Sequence, residues 1–438
     1  MRLVVIGAGP GGYTAALAAA QKGIDVVLVE KREIGGTCLN RGCIPTKAFL
    51  ASAHTLEKIK RCASYGISAE NVRADMPLII KRKNEVVQTL RKSVESLILK
   101  RKVTIVKGEG GIVSRGVVSV GDERIECDAI IVATGSEPLS FWDDPSVVDS
   151  TGALELSEIP ESMLVAGGGA VGVEFACFFA AMGSKVTLVE MADRILPSMD
   201  RDVTDTLTRE LKKRGIAIRT KTKIESVNNG EVVFSGGKTG RFDKILSAVG
   251  RRFNNSSIGL ENVAVEMDRG RIRTDLRMET GEKGVYAIGD IAAGFPLLAH
   301  VASSQAIVAV RNIAGEEAFF DGSAIPGCIY SSPEAASVGI REDQAENPEV
   351  AKIPFRALGR AHAEGEIAGL IKIVAVDGIV KGVHIIGERA SDLIHEGVEA
   401  VAERMPLNRL AEIIHAHPTF AEIYSEAYHM MEGIPIHA

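Results

Sequence analysis

Two cysteines, Cys38 and Cys43, stand in "GGTCLNRGCIPTK" (residues 35–47), with Gly42 between them and Pro45 and Lys47 just beyond. Thiols at this spacing could form a structural disulfide, supply half of a metal site, or open and close as a redox couple. A metal site needs two more ligands at matching spacing. Cys62, Cys127, Cys177 and Cys328 each stand alone, so no metal is expected. A redox couple has its own geometric demand. Five residues of regular helix rise ~7.5 Å, whereas a disulfide wants Cα atoms ~4.4–6.8 Å apart. The stretch Cys38–Gly42 is therefore expected to be irregular, with Gly42 absorbing the distortion and a regular helix starting after Cys43. Pro45 suits a first helical turn, where its missing N–H costs nothing. Cys43 at a helix N-terminus with Lys47 one turn on would have its thiolate favoured.

A thiol couple also needs a proton acceptor. "HAHPTFAEIYSEA" (residues 415–427) offers His417, followed by Pro418, which can take a cis bond. Glu422 could hold the imidazole from the helix behind it. Histidine is the side chain suited to shuttling a thiol proton near neutral pH, although an isolated histidine near a terminus is more often surface or core.

Such chemistry must be positioned by larger elements, and a repeat supplies them. "RLVVIGAGPGGYTAALAAAQKGIDVVLVE" opens the chain, and "SMLVAGGGAVGVEFACFFAAMGSKVTLVE" starts at Ser162. A shift of 160 (7 to 167) superposes Gly7, Gly9, Gly12 and Glu30 on Gly167, Gly169, Gly172 and Glu190. Each copy reads as strand, G-x-G-x-x-G turn, Ala-rich helix, then a second strand ending in an acid, which is a dinucleotide-binding βαβ unit. The first glycine makes the tight turn, the second admits a pyrophosphate, and the third lets helix pack on strand. The helix N-terminus then faces the phosphates, and the acid can accept hydrogen bonds from ribose hydroxyls. "CDAIIVATGSEP" and "FDKILSAVGRRF" match as returning strands. "GVYAIGD" ends at Asp290, which can reach the polyol and pyrophosphate of a flavin or serve as a helix cap.

Composition sets bounds. The 438 residues are 46% apolar and 25% charged, ordinary for a soluble globular protein. A net charge of −6 gives a nucleic-acid partner little support. Met163–Gly183, the longest apolar stretch, is broken by Glu174 and glycines, so no membrane span and a cytoplasmic location are expected. The pattern predicts an α/β fold with two Rossmann-like dinucleotide-binding domains and a C-terminal α+β domain. Residues 1–140 form the first, with a helical insertion at 46–102 whose helices are Ala48–Cys62 and the basic, amphipathic Leu78–Arg101. Residues 141–262 form the second, 263–324 return to the first, and 325–438, rich in short β runs, suit pairing between subunits.

These motifs together resemble the two-dinucleotide-fold flavoprotein disulfide oxidoreductases over nearly the whole chain, and most closely the branch that oxidises dihydrolipoamide with NAD⁺. The resemblance implies FAD on Gly7, Gly9, Gly12 and Glu30, with Lys47, Gly110, Thr134, Gly135, Ser136 and Asp290 also lining it. It implies NAD on Gly167, Gly169, Gly172 and Glu190, with Ile224 and Gly250 nearby, and a pairing of Glu174 with Lys47 beside the flavin. It makes Cys38 the interchange thiol and Cys43 the thiol against the flavin. It also implies a homodimer, in which His417 and Glu422 serve the other subunit's dithiol, and a lipoyl domain of a 2-oxo acid dehydrogenase or glycine cleavage complex as partner. Two features depart from the common pattern: a short stretch around Glu137–Ser150, and Arg41 where many relatives carry a small apolar residue. A glutathione-like, coenzyme A or mercuric substrate on the same scaffold is the alternative.

Overall fold

In the computed structural model, which describes residues 1–437, the two repeated segments fold alike. Arg2–Ile6 and Asp25–Glu30 are parallel strands with Ile6 opposite Val29, joined by the helix Pro10–Gln21. Ser162–Ala166 and Lys185–Val189 pair the same way, Ala166 opposite Val189, across the helix Ala170–Met182. Leu3, Val4 and Val5, like Met163, Leu164 and Val165, are fully buried. Strands covered on both faces read as continuous apolar runs, and these do.

The described chain packs as two units: residues 1–48, 77–139 and 250–322, and residues 49–76, 140–249 and 323–437. The first holds a parallel sheet in the order Val285–Ala287, Ala129–Val132, Arg2–Ile6, Asp25–Glu30, Thr104–Lys107. The three strands Arg2–Ile6, Ala129–Val132 and Val285–Ala287 therefore deliver Gly7, Thr134 and Asp290 to one edge, where ligands of open α/β sheets bind. The antiparallel strands Gly110–Ser114, Val117–Val120 and Glu123–Glu126 close the core, with Ile112 and Val118 packed among Ile6, Val29 and Val132. The chain re-enters this unit at Gly250, ahead of the expected return at Val263, because Arg251–Phe253 pairs antiparallel with Ser136–Pro138. The expected insertion helices run Cys43–Lys60 and Met76–Lys100.

The second unit carries a parallel sheet in the order Ala217–Arg219, Lys185–Val189, Ser162–Ala166, Lys244–Ser247, Val147–Val148. Phe49, on the insertion helix, stacks on Phe178 of the helix Ala170–Met182 with ring centroids 4.5 Å apart. The C-terminal sheet is antiparallel: Gly327–Ile329, Glu334–Gly339, Ile379–Gly387, Leu370–Val376, Glu349–Pro354. Its strand Leu370–Val376 is covered on both faces, buried without a break from Ile371 to Ala375. Ile371 and Ile373 enter a core shared with Ile394, Ile423 and Tyr424 of the helices Ala390–Ala402 and Glu422–Met431. Lys372, between them, is 2% exposed and binds Asp200, Asp202 and Glu342 at 2.6–2.9 Å. Burial disfavours its charge, but those three carboxylates hold its pKa well above the ordinary lysine value. Among the described residues no helix is long and apolar enough to cross a membrane.

Candidate active site

The two glycine turns match down to their hydrogen bonds. Gly7 has φ +100° and donates to Val29; Gly167 has φ +109° and donates to Val189, both at 2.8 Å. A Cβ on Gly12 would sit 1.8 Å from the Gly7 carbonyl oxygen, and one on Gly172 would sit 1.9 Å from that of Gly167. The third glycine therefore lets its helix close on the turn. Glu30 accepts the N–H groups of Ala8 and Arg32, each at 2.7 Å; Glu190 accepts those of Gly168 at 2.7 Å and Ala192 at 2.8 Å. Both acids thus brace the glycine turn from the end of the second strand. Gly9 and Gly169 border open space, since a Cβ there meets nothing within 4 Å, and neither helix has a side-chain cap. Uncapped helix N–H groups facing open space fit a pyrophosphate, so both turns suit a dinucleotide.

Thr134, Ser136 and Asp290 converge beside the first turn. The Ser136 hydroxyl donates to Asp290 at 2.5 Å, and Thr134 donates to the Asn254 carbonyl at 2.7 Å. Sequence reasoning missed the groups that hold them. Arg251 donates to the Ser136 hydroxyl at 2.6 Å and carbonyl at 2.7 Å and lies 3.7 Å from the Asp290 carboxylate. Arg271 donates to the Asp290 carbonyl at 2.9 Å. Gln305, fully buried, accepts the Gly289 N–H at 2.7 Å and keeps Asp290 at the sheet edge. The only sequence signal was the adjacency to Gly250 of Arg251, the residue that opens the pairing strand.

Cys38 and Cys43 are brought face to face, and one expectation is corrected. Cys38 is not in irregular chain: it lies in the short helix Gly36–Arg41. The distortion is confined to Gly42, at φ −137° and ψ −108°, after which Cys43 begins the helix Cys43–Lys60. One residue off the helical path suffices to turn the second thiol toward the first. Neither cysteine is in a disulfide; Cys38 is half-buried and Cys43 exposed. The hydrogen bond to Cys43 and then burial push the Cys38 thiol well above its ordinary pKa, with Lys47 pulling weakly the other way. Burial, then the charges of Cys38 and Cys43, raise the nearby Tyr13 phenol, which the sequence did not flag.

Two histidines stand side by side in the C-terminal segment, in opposite settings. The His415 side chain is 6% exposed, with Nε2 3.1 Å from both oxygens of Glu396. The hydrogen bond to Glu396 outweighs burial and raises its pKa. His417 is 77% exposed, with Nδ1 2.8 Å from Glu422, and its bond to Pro418 is cis. Glu422 also accepts the Thr419 N–H at 2.8 Å. Burial would raise the Glu422 pKa, but the bonds from Thr419 and His417 prevail and lower it. Nδ1–H donating to an ionised carboxylate leaves Nε2 of His417 as an outward-facing proton acceptor.

Of the remaining expected residues, Glu174 is 5% exposed and accepts the Tyr330 N–H at 3.1 Å. Lys47 lies one turn into the helix that starts at Cys43. Gly110 opens its strand against Ile6 and Val29, which leave a Cβ 3.0 and 3.2 Å of clearance. Ile224 sits in the core with Val189 and Phe234, so its main chain is the part a nucleotide could meet. Gly135 and Gly250 have φ +69° and +134°, with open space where a Cβ would be. Among the described residues no cluster of metal-ligating side chains is present.

Residues 1–306 match the family model described as pyridine nucleotide-disulphide oxidoreductase, and residues 325–428 match that family's dimerisation domain. The chain is 40% identical to the dihydrolipoyl dehydrogenase of Chlamydia trachomatis, over 99% of this chain and 97% of that one. It is 41% identical to that of Geobacillus stearothermophilus with the same shares covered. Among solved structures, LpdA from Mycobacterium tuberculosis superposes with a TM-score of 0.91 at 26% identity, covering 98% of this chain and 99% of that one. The HOCl-induced flavoprotein disulfide reductase RclA from Escherichia coli gives 0.88 at 27% identity, with the same coverage.

Proposed function

The chain belongs to the pyridine nucleotide-disulphide oxidoreductase family, and from that premise we propose how its residues oxidise dihydrolipoamide to lipoamide with reduction of NAD⁺. The observation that carries the reading is the pair of thiols held face to face across Gly42, in the same unit as the first glycine turn. In the oxidised enzyme the two thiols are joined. A substrate thiolate attacks Cys38, its second thiol displaces Cys38, and lipoamide leaves while Cys38 and Cys43 keep two electrons. His417, oriented by Glu422, takes the thiol proton at Nε2. Cys43, at a helix N-terminus that stabilises its thiolate, would face the flavin when it is bound. When bound, FAD supplies the two-electron link by which NAD⁺ becomes NADH.

Glu30 and Glu190 brace the two turns and offer oxygens to ribose hydroxyls. Glu190 disfavours a 2′-phosphate, and Arg194, which could welcome one, donates instead to the Pro197 carbonyl at 2.9 Å. A second copy of this chain pairs through residues 325–428. The dithiol reaches the enzyme on the lipoyl domain of a 2-oxo acid dehydrogenase or glycine cleavage complex, in the cytoplasm.

The test is steady-state turnover with dihydrolipoamide and NAD⁺ against glutathione disulfide and NADPH. The first pair is expected to be used and the second not; the reverse would reassign the substrate. Cys38→Ser and Cys43→Ser should each abolish dithiol turnover with FAD still bound, since other residues hold the nucleotide. Only Cys38→Ser should keep a long-wavelength absorbance from a thiolate against the flavin. Dithiol turnover surviving in either variant would remove the thiol pair from the reaction.

A further inference from the structure

Arg41 follows Cys38 by three positions on the helix Gly36–Arg41. Residues three apart on a helix are surface neighbours, so whatever Arg41 touches lies one turn from the interchange thiol. Arg41 lines a groove of about 310 Å³ with Glu33, Asn40, Asn84, Gln88 and Arg91. Asn84, Gln88 and Arg91 recur at helical spacing on Met76–Lys100, so one face of that helix forms the far wall.

The polar groups of the groove are unequally satisfied. The Arg41 guanidinium lies 2.7 Å from Glu33, the one carboxylate among the lining residues. Arg91 lowers the Glu33 pKa through its charge, and the groove lining offers it no other carboxylate. Asn40 donates to the carbonyls of Ile34 at 3.0 Å and Gly36 at 2.9 Å, while its own buried carbonyl oxygen has no partner. Two guanidinium groups against one carboxylate leave a spare positive charge, flanked by neutral amides. An arginine beside a second arginine is suited to gripping a carboxylate.

We propose that this groove is a carboxylate subsite, which accepts a negatively charged group carried close to the dithiol of the substrate. The inference rests on the dithiol reading and deepens it. Dihydrolipoamide has no such charge. Free dihydrolipoate carries one at the end of its short aliphatic chain, and a carrier protein carries one wherever an acidic side chain flanks its dihydrolipoyl-lysine. The shared chemistry is a carboxylate bound between Arg41 and Arg91.

Two matched pairs of substrates test it with the FAD-loaded enzyme. One pair is dihydrolipoate and dihydrolipoamide; the other is a dihydrolipoyl-lysine peptide flanked by glutamate and the same peptide flanked by glutamine. The readout is the ratio of kcat/KM for the charged member over the neutral one, with flavin absorbance reporting an intact fold. In at least one pair the wild-type ratio is expected to favour the charged member and to decline as salt is raised. Arg41→Gln and Arg91→Gln should each lower that ratio about tenfold, the low end for a charge-assisted hydrogen bond in a half-exposed site. The pair that responds identifies the source of the carboxylate. Because Arg91 is on a different element from the thiols, its variant decides even where Arg41→Gln folds poorly. No preference in either pair, or ratios unmoved by both substitutions, would overturn the subsite. Failure of the wild type to oxidise any of the four dithiols would instead overturn the function on which it rests.

Discussion

His415 and His417 are separated by one alanine, yet the structure gives them different work. Glu396 and burial immobilise His415, whereas Glu422 holds His417 by one nitrogen and leaves the other in solvent. Removal of a general base costs ~10²–10⁴-fold. His417→Gln is therefore expected to slow dihydrolipoamide oxidation by that range, while transfer from NADH to an artificial acceptor, which needs no thiol proton, stays close to wild type. Glu422→Gln should show the same pattern more mildly, because Thr419 still helps to hold the loop. Equal losses in both assays would assign His417 a structural role. His415 makes a separate prediction, about pH. Its folded pKa is raised, so its contribution is fully present below the unfolded value of ~6.5 and is lost as pH rises through the folded value. His415→Gln should lower Tm most near pH 6, by an amount corresponding to about 1–3 kcal/mol for a charge-assisted hydrogen bond. The deficit should shrink toward alkaline pH; a deficit independent of pH would show that packing alone is lost.

The βαβ unit is used twice, so the same substitution in each copy gives a paired test. Gly12→Ala would place a methyl 1.8 Å from the Gly7 carbonyl, and Gly172→Ala would place one 1.9 Å from that of Gly167. The helix must move off its turn, and overpacking of this kind costs about 1–3 kcal/mol. The moved N-terminus no longer presents its N–H groups to a pyrophosphate. Gly12→Ala is expected to be purified with little FAD. Gly172→Ala should keep FAD and raise KM for NAD⁺ at least about tenfold. Flavin absorbance and coenzyme titration read the two effects independently, and a loss of FAD in Gly172→Ala would break the assignment of one nucleotide to each copy.

Within one chain, the glycine turn and thiols lie in the first unit and His417 in the second. The family's dimerisation domain matches residues 325–428, which include His417 and Glu422. If the histidine serves the other subunit, an inactive His417→Gln chain and an inactive Cys43→Ser chain should complement. In the mixed dimer one dithiol is intact and meets the partner's His417. Subunit exchange under mild denaturant, verified by mass, should restore up to half of the wild-type activity per heterodimer. Absence of recovery after verified exchange would place the proton acceptor in the same chain as its dithiol or remove it from the reaction.

The features legible in the sequence are those set by neighbours along the chain. A strand, a G-x-G-x-x-G turn and an Ala-rich helix impose one another within a few dozen residues, so both nucleotide turns and their terminal acids could be read directly. The thiol pair could be read too, because its chemistry needs only two cysteines and a break between them. The break was drawn too wide: Gly42 alone supplies it, and Cys38 stays helical. The parts that remained hidden depend on pairing between distant segments. Arg251 reaches Ser136 across 115 positions, because two short strands happen to pair there. Arg91 joins Arg41 in a groove only because a long helix packs beside the thiol-bearing turn. Which of two histidines is locked and which is free was decided by where Glu396 and Glu422 fall in the packed domain. Local spacing determines what a segment can do; tertiary packing determines which charges and donors surround it, because those come from residues far away in the chain.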